Sequence, residues 1–454
     1  MAAKALMLLL CAVVLSLGFP PSCSQQQQQQ QQQRRQPFAG NKLPNPISSS
    51  TAVFKVNGNV YPHGVYYVTV YIGDPPKPYY LDIDTGSDLT WLQCDAPCIS
   101  CTPGLPHPLY KPRKRNIVPC KDTACQSLHS QHPYPPCIND DDQCDYQIEY
   151  ADQASSLGVL VRDSFLLQFA NGSISRPYLV LGCGYDQKSS TVASHAPLDG
   201  VLGVGLGKSS MMSQLSGHGL IKNVFAHCFG PKGGYLFFGD GLIPRGVTWT
   251  PLTRNKDMHS ASPGPANLIL ERSSNVIKDL TVVFDSGSSY TYFSDRAYKP
   301  VVSTVTRGLS GKFKEALEDK TLPLCWKGPK RLKSVAEMNK YAKLMPLVLG
   351  FGKKAQLEIP PENYLIVSDQ GNVCLGILNG TEMGLNDLNI IGDVSMQNLI
   401  VIYDNENRQI GWIPADCDRL HNAEETIFYS NGGDDEGFLQ GISRPYPSTW
   451  ESYL

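Results

Sequence analysis

The chain has 454 residues, more than one hydrophobic core usually organises, so two lobes are expected. Lys plus Arg total 39 against 41 for Asp plus Glu, and the net charge of -2 argues against nucleic acid or an anionic membrane as the main partner. With 40 Gly, 34 Pro and 22 Tyr, the composition predicts many short strands and turns rather than a helical bundle.

The N-terminus reads as a secretory signal peptide over residues 1–24. Lys4 precedes an apolar run from Ala5 to Phe19, too short to span a bilayer comfortably. Pro20 and Pro21 break the run, and the small residues Ser22 and Ser24 suit a cleavage site. The glutamine tract Gln25 to Gln33, followed by Arg34 and Arg35, has nothing apolar to bury and is expected to be disordered. Residues 25–57 as a whole read as a linker or short propeptide.

A strand-like run, Tyr79, Tyr80, Leu81 and Ile83, leads into Asp84-Thr85-Gly86-Ser87-Asp88-Leu89-Thr90-Trp91. Asp82 falls two residues before Asp84 and shares its strand face. It is either a neighbour that shifts the pKa of Asp84 or an exposed strand-end charge. Seven cysteines then crowd between Cys94 and Cys144. Cys11 and Cys23 leave with the signal peptide, so twelve remain: Cys94, Cys98, Cys101, Cys120, Cys125, Cys137, Cys144, Cys183, Cys228, Cys325, Cys374 and Cys417. In a secreted chain an even number predicts disulfides. Zinc competes through the ligand-like spacing of Cys98 and Cys101 and through His129 and His132 near Cys125. No metal and no cofactor is expected, and spacing alone leaves the pairing open.

Two sequons, at Asn171 and Asn379, fit the same route, each beside a Gly that favours an exposed turn. Gly205-Leu206-Gly207-Lys208-Ser209 imitates a phosphate loop, but Leu202 stands where the first Gly is required. Neither a zincin motif nor a serine-hydrolase elbow is present. From Ser294 to Lys314, Ala297, Val301, Val305 and Leu309 recur at helical spacing and predict a core-packed helix. Lys327 to Lys333 reads as a solvated basic loop, and residues 418–454 as an acidic, flexible tail without a hydrophobic anchor.

The decisive feature is a repeat. Asp285-Ser286-Gly287-Ser288-Ser289-Tyr290-Thr291-Tyr292 copies the first motif at a spacing of 201 residues. Leu280, Val282, Val283 and Phe284 precede it as an apolar run. Val201-Leu202-Gly203 downstream of the first copy is echoed by Ile390-Ile391-Gly392 after the second. Duplicated halves of this kind would place Asp84 opposite Asp285, each in a tight turn allowed by Gly86 or Gly287. Ser87 and Ser288 would donate to the carboxylates, while Thr85 and Ser286 tie the loops together. Two adjacent carboxylates share a proton, so one can activate a water while the other polarises a carbonyl. That sharing is an established property of such pairs rather than a deduction from this chain.

At these residues the chain resembles the pepsin-like aspartic proteases, over about Tyr61 to Cys417. More narrowly, the run from Asp82 to Cys94, with the cysteine cluster after it, looks like the plant nucellin-like branch, whose nepenthesin-type relatives share the twelve-cysteine style. The resemblance implies an all-β, bilobal fold with two pseudo-symmetric lobes, a central cleft and a few short helices. It implies lobes over residues 58–248 and 249–417, a catalytic dyad of Asp84 and Asp285, and a flap over Tyr146 to Leu160 whose Tyr150 is hydrogen-bonded by Trp91. By order, it implies bridges Cys94–Cys98, Cys101–Cys183, Cys120–Cys144, Cys125–Cys137, Cys228–Cys417 and Cys325–Cys374. Two departures stand out: Ser286 replaces the commoner Thr, and Ala151 stands where a Gly usually follows the flap tyrosine.

The expected activity is acid-optimum endopeptidase cleavage of protein or peptide substrates by a monomer. It would act without nucleic acid or a stable membrane anchor, in the apoplast or the vacuole. The rivals are a pepsin-fold protein that binds or inhibits glycosidases, and a two-carboxylate glycosidase. The duplicated frame argues against the second.

Overall fold

The computed structural model describes residues 51–419, except 97, 103, 131–136, 152, 189–197, 254–260, 271–274 and 353. The segments expected to be a signal peptide, a glutamine tract and, beyond residue 419, an acidic tail lie outside the described residues.

Strands dominate because apolar side chains alternate along short runs between Gly- and Pro-rich turns. In Val65–Ile72 the buried residues Val68, Val70 and Ile72 fall on one face. The first half opens as a meander, in which Ala52–Asn59 pairs antiparallel with Val65–Ile72, which in turn pairs with Lys77–Asp84. Ala52–Asn59 begins ahead of residue 58, the expected start of the lobe. Ala52 and Val56 are buried, and the polar residues around them masked that strand in the sequence.

Lys77–Asp84 also pairs, in parallel, with Gly200–Gly203, with Asp84 beside Gly203. Trp91–Gln93 lies antiparallel to that strand and parallel to Tyr178–Lys188. The second half repeats the plan. Asn275–Phe284 pairs in parallel with Leu388–Ile391, with Phe284 beside Ile391. Thr291–Phe293 lies antiparallel to Leu388–Ile391 and parallel to Ile377–Asn379. The downstream apolar-Gly echo is therefore the partner of each Asp-bearing strand. The helix Asp295–Leu309 buries Ala297, Val301, Val305 and Leu309, as their spacing predicts.

The halves are joined at the base. Leu399–Asp404 pairs with Val224–Gly230, and Gln409–Pro414 pairs with Thr248–Pro251, so the last strands enter a 14-stranded sheet that includes the first meander.

All twelve cysteines after the leader are bridged, with Cys228–Cys417 and Cys325–Cys374 as expected. The other four pairings differ. Cys94 joins Cys183 and Cys98 joins Cys101, in place of Cys94–Cys98 and Cys101–Cys183. The sheet explains this, because Leu92 is in register with Cys183 and carries Cys94 alongside that strand. Cys120 joins Cys137 and Cys125 joins Cys144, in place of Cys120–Cys144 and Cys125–Cys137. Burial sorts these four: Cys125, within the helix Thr123–His129, and Cys144 are fully buried, whereas Cys137 is only partly covered.

Candidate active site

Each Asp-bearing strand runs straight into a tight loop whose donors converge on its own carboxylate. Asp84 Oδ1 accepts from the Gly86 amide at 2.7 Å, and Oδ2 accepts from Ser87 Oγ. Asp285 Oδ1 accepts from the Gly287 amide at 3.0 Å, and Oδ2 from Ser288 Oγ at 3.0 Å. Each loop also presses on the opposite carboxylate. A Cβ added at Gly86 would lie 2.6 Å from Asp285 Oδ1, and one at Gly287 would lie 2.6 Å from Asp84 Oδ1. Glycine is required at both positions because a carboxylate occupies the space of a side chain.

The loops grip each other beneath the carboxylates. The Thr85 amide donates to Ser286 Oγ at 3.2 Å, and the Ser286 amide donates to Thr85 Oγ1 at 2.9 Å. Thr85 Oγ1 donates to the Phe284 carbonyl at 3.2 Å, and Ser286 Oγ to the Ile83 carbonyl at 2.7 Å. Ser286 therefore matches each of the grip bonds that Thr85 makes, and its hydroxyl suffices for them without the methyl.

Burial raises both carboxyls above the ordinary carboxylate range, and for Asp84 the neighbouring Asp285 charge pushes in the same direction. Two further acids surround the pair. Asp82 sits on the Asp84 face of its strand, raised by burial and then by Asp84 and Asp285. It is a titrating neighbour of the pair, the first of the two alternatives for that residue. Asp393, 1% exposed, is raised by burial and then by Asp82, Asp285 and Asp84. The sequence reading missed Asp393, although its place directly after the Gly392 echo was a usable signal. It also missed Tyr403 and His227, whose side chains meet at 3.2 Å beneath the loops. Only the three-dimensional sheet brings them together.

The hairpin of Asp145–Glu149 and Ser155–Gln168 carries Tyr150 at its turn. Trp91 Nε1 donates to Tyr150 Oη at 2.7 Å, the contact the resemblance implied. The turn takes its left-handed residue at Gln153, so Ala151 is not asked for the backbone freedom of Gly.

The phosphate-loop lookalike is already filled, since the Gly207 amide donates to Asp88 Oδ1 at 2.8 Å. A Cβ at Gly207 would overlap that carboxylate. The cysteines of the zinc reading are bridged, and His129 Nε2 lies 2.9 Å from the Asp145 carbonyl. His132 lies outside the described residues. Asn171 is exposed, but Asn379 is not the exposed turn its Gly neighbour suggested. It ends a strand and donates to Asp295 Oδ1 at 3.0 Å and Glu382 Oε1 at 2.8 Å. Among the described residues no helix is long and apolar enough to cross a membrane.

Two gripped loops, each pressing a glycine on the other's aspartate, define a pepsin-like aspartic proteinase architecture. Comparison with known proteins agrees. The families described as "Xylanase inhibitor N-terminal" and "Xylanase inhibitor C-terminal" match residues 66–240 and 268–414. An aspartic proteinase of rice (Oryza sativa subsp. japonica) is 44% identical over 84% of this chain and 94% of its own length. Aspartic proteinase nepenthesin-1 of Nepenthes gracilis is 26% identical over 78% of each. Among solved structures, soybean basic 7S globulin covers 80% of this chain and 96% of its own at a TM-score of 0.60 and 17% identity. The aspartic proteinase of Irpex lacteus covers 81% and 98% at 0.55 and 17% identity. The chain belongs to the pepsin-like aspartic proteinases of plants and is an aspartic-type endopeptidase.

Proposed function

We propose that the protein hydrolyses peptide bonds with a water held between Asp84 and Asp285, at acidic pH, within the secretory route. One carboxylate takes a proton from the water as its oxygen attacks the scissile carbonyl carbon. The other, protonated, hydrogen-bonds the carbonyl oxygen and later gives its proton to the leaving amine. The observation that carries this is the reciprocal packing of Gly86 on Asp285 and Gly287 on Asp84, which leaves the carboxylates facing one another. Tyr150, tethered to Trp91, covers the Asp84 side as a flap residue. The apolar leader and six disulfides favour a secreted or vacuolar destination, and the cysteine-rich insert favours the nucellin-like branch.

The test is peptide cleavage against pH, with and without a statine-type inhibitor. Cleavage should be strongest under acid conditions and blocked by the inhibitor. It should fall about 10²- to 10⁴-fold in kcat in either Asp84→Asn or Asp285→Asn, the range general acid–base groups supply. Undiminished cleavage in either variant overturns the reading. The xylanase-inhibitor family descriptions favour a second reading, binding or inhibition of a glycosidase. Xylanase activity measured with and without the protein separates the two.

A further inference from the structure

The strand that delivers Asp84 also presents a carboxylate that the loop geometry does not need. In Lys77–Asp84 the side chains of Tyr79, Leu81 and Ile83 turn into the core, while Tyr80, Asp82 and Asp84 take the opposite face. Asp82 is partly exposed there, yet its Oδ1 is shut off from solvent without a hydrogen-bond partner. Among the described residues, no Lys, Arg or His forms an ion pair with it. The charges around it are the acids Asp84, Asp285 and Asp393. A carboxyl oxygen removed from water without a partner is costly to ionise, and a cation arriving beside the group offsets that cost.

The duplicated half supplies a control. The position equivalent to Asp82, two before Asp285, is Val283, and the second loop keeps the same donors and the same grip. Asp82 is therefore surplus to holding a carboxylate in place. Among the described residues, the clusters tight enough for a metal ion do not include Asp82. Same-face positions two residues apart on a strand lie about 6.6 Å apart, as do residues i and i+2 of an extended peptide. A substrate threaded past Asp84 thus brings a neighbouring side chain within reach of Asp82.

Resting on the peptidase reading above, we propose that Asp82 is a specificity-determining residue that receives a lysine or arginine side chain of the substrate, one to three positions from the scissile bond. Burial and the surrounding acids favour the neutral form of Asp82 in the free protein, and an arriving guanidinium or ammonium group draws it to the ionised form and pairs with it. Cleavage is thereby directed to peptides with a basic residue on one side of the bond.

Paired peptides test this, identical except for Lys or norleucine at each of the three positions on either side of the cleaved bond. Norleucine keeps an apolar stem of similar length and removes the charge. The readout is the kcat/KM ratio of the two peptides on one protein preparation, which cancels any difference in active fraction. The wild type should prefer Lys by about tenfold or more at one position. The ratio should fall to about one in Asp82→Val, which copies the second half, and in the near-isosteric Asp82→Asn, and persist in Asp82→Glu. An active wild type without a Lys preference at any position, or a preference that survives Asp82→Val and Asp82→Asn, overturns the inference and leaves the dyad standing. Cleavage that survives Asp84→Asn overturns the dyad and this inference together.

Discussion

The two Asp-bearing loops are near copies set in unlike surroundings. Each has a carboxylate held by the amide two residues on and the hydroxyl three residues on, and each lends a hydroxyl to the grip. Beyond that frame they diverge. The first half carries Asp82 before its loop and Val204 after its Gly203 echo, while the second carries Val283 and Asp393 at those places. The first half also has Trp91 tethering Tyr150, where the second places Tyr292. What the halves share is what holds two carboxylates face to face. What they do not share sets the charge, the cover and the specificity around the pair. The duplication thus sorts residues by role without any alignment of relatives.

The largest effect expected from breaking that symmetry beyond the aspartates lies in the paired glycines. Gly86→Ala drives a Cβ into Asp285, and Gly287→Ala drives one into Asp84. Misplacing reacting groups by about 1 Å costs on the order of 10² in rate. Both variants should therefore lose about 10²-fold in kcat/KM, with thermal unfolding still cooperative. A large loss in one and none in the other would show that the loops do not face each other as mirror partners.

A smaller effect concerns the two unshared acids. Asp82, Asp84, Asp285 and Asp393 all have carboxyls raised by burial. Above the ordinary carboxylate range of about 4 the folded state keeps protons that the unfolded chain releases, so stability falls as pH rises. His227 acts in the opposite sense. Burial lowers it to about 3, so the unfolded chain binds its proton first as pH drops below about 6.5. Four acids outweigh one imidazole, and the melting temperature should decline from about pH 5 to pH 8. Asp82→Asn and Asp393→Asn should each flatten that decline, one from each half. Calorimetry across this range checks it, and a melting temperature that rises toward pH 8 would break the argument.

Much of this was legible in the sequence because it is written locally. The repeated motif, its apolar lead-in and the Ala297–Leu309 periodicity each lie within a few residues, and strand or helix geometry turns such patterns directly into faces. The grip was legible as a residue type, since only hydroxyls at positions 85 and 286 can both donate and accept. The crossing of Cys120–Cys137 with Cys125–Cys144 was not, because two pairings of four neighbouring sulfurs differ only in which is buried deeper. Asp88 stands in the first motif where the second carries Ser289, and its task of filling the Gly207 loop more than a hundred residues away was not legible. The His227–Tyr403 contact was illegible for the same reason, as sheet pairing between distant strands creates it, whereas Asp393 was within reach through its place directly after the Gly392 echo.

The smallest expected effect separates the halves at their surfaces. Asn171, in the first half, is exposed in a turn where its Oδ1 accepts from the Ser173 amide at 3.0 Å and from Ser173 Oγ at 2.7 Å. Asn379, in the second, is 8% exposed, and the Nδ2 that would carry a glycan is spent on Asp295 and Glu382. A glycan is attached to a sequon before the chain finishes folding, so one at Asn379 would remove one of the two donor hydrogens and force open the end of a strand. Material secreted from a eukaryotic host should therefore carry a glycan at Asn171 and none at Asn379, with activity close to that of the Ser173→Ala form that lacks it. Peptide mapping after glycosidase treatment in ¹⁸O water reads both sites directly. Label at Asn379 would mean that the second half tolerates an opening its hydrogen bonds forbid.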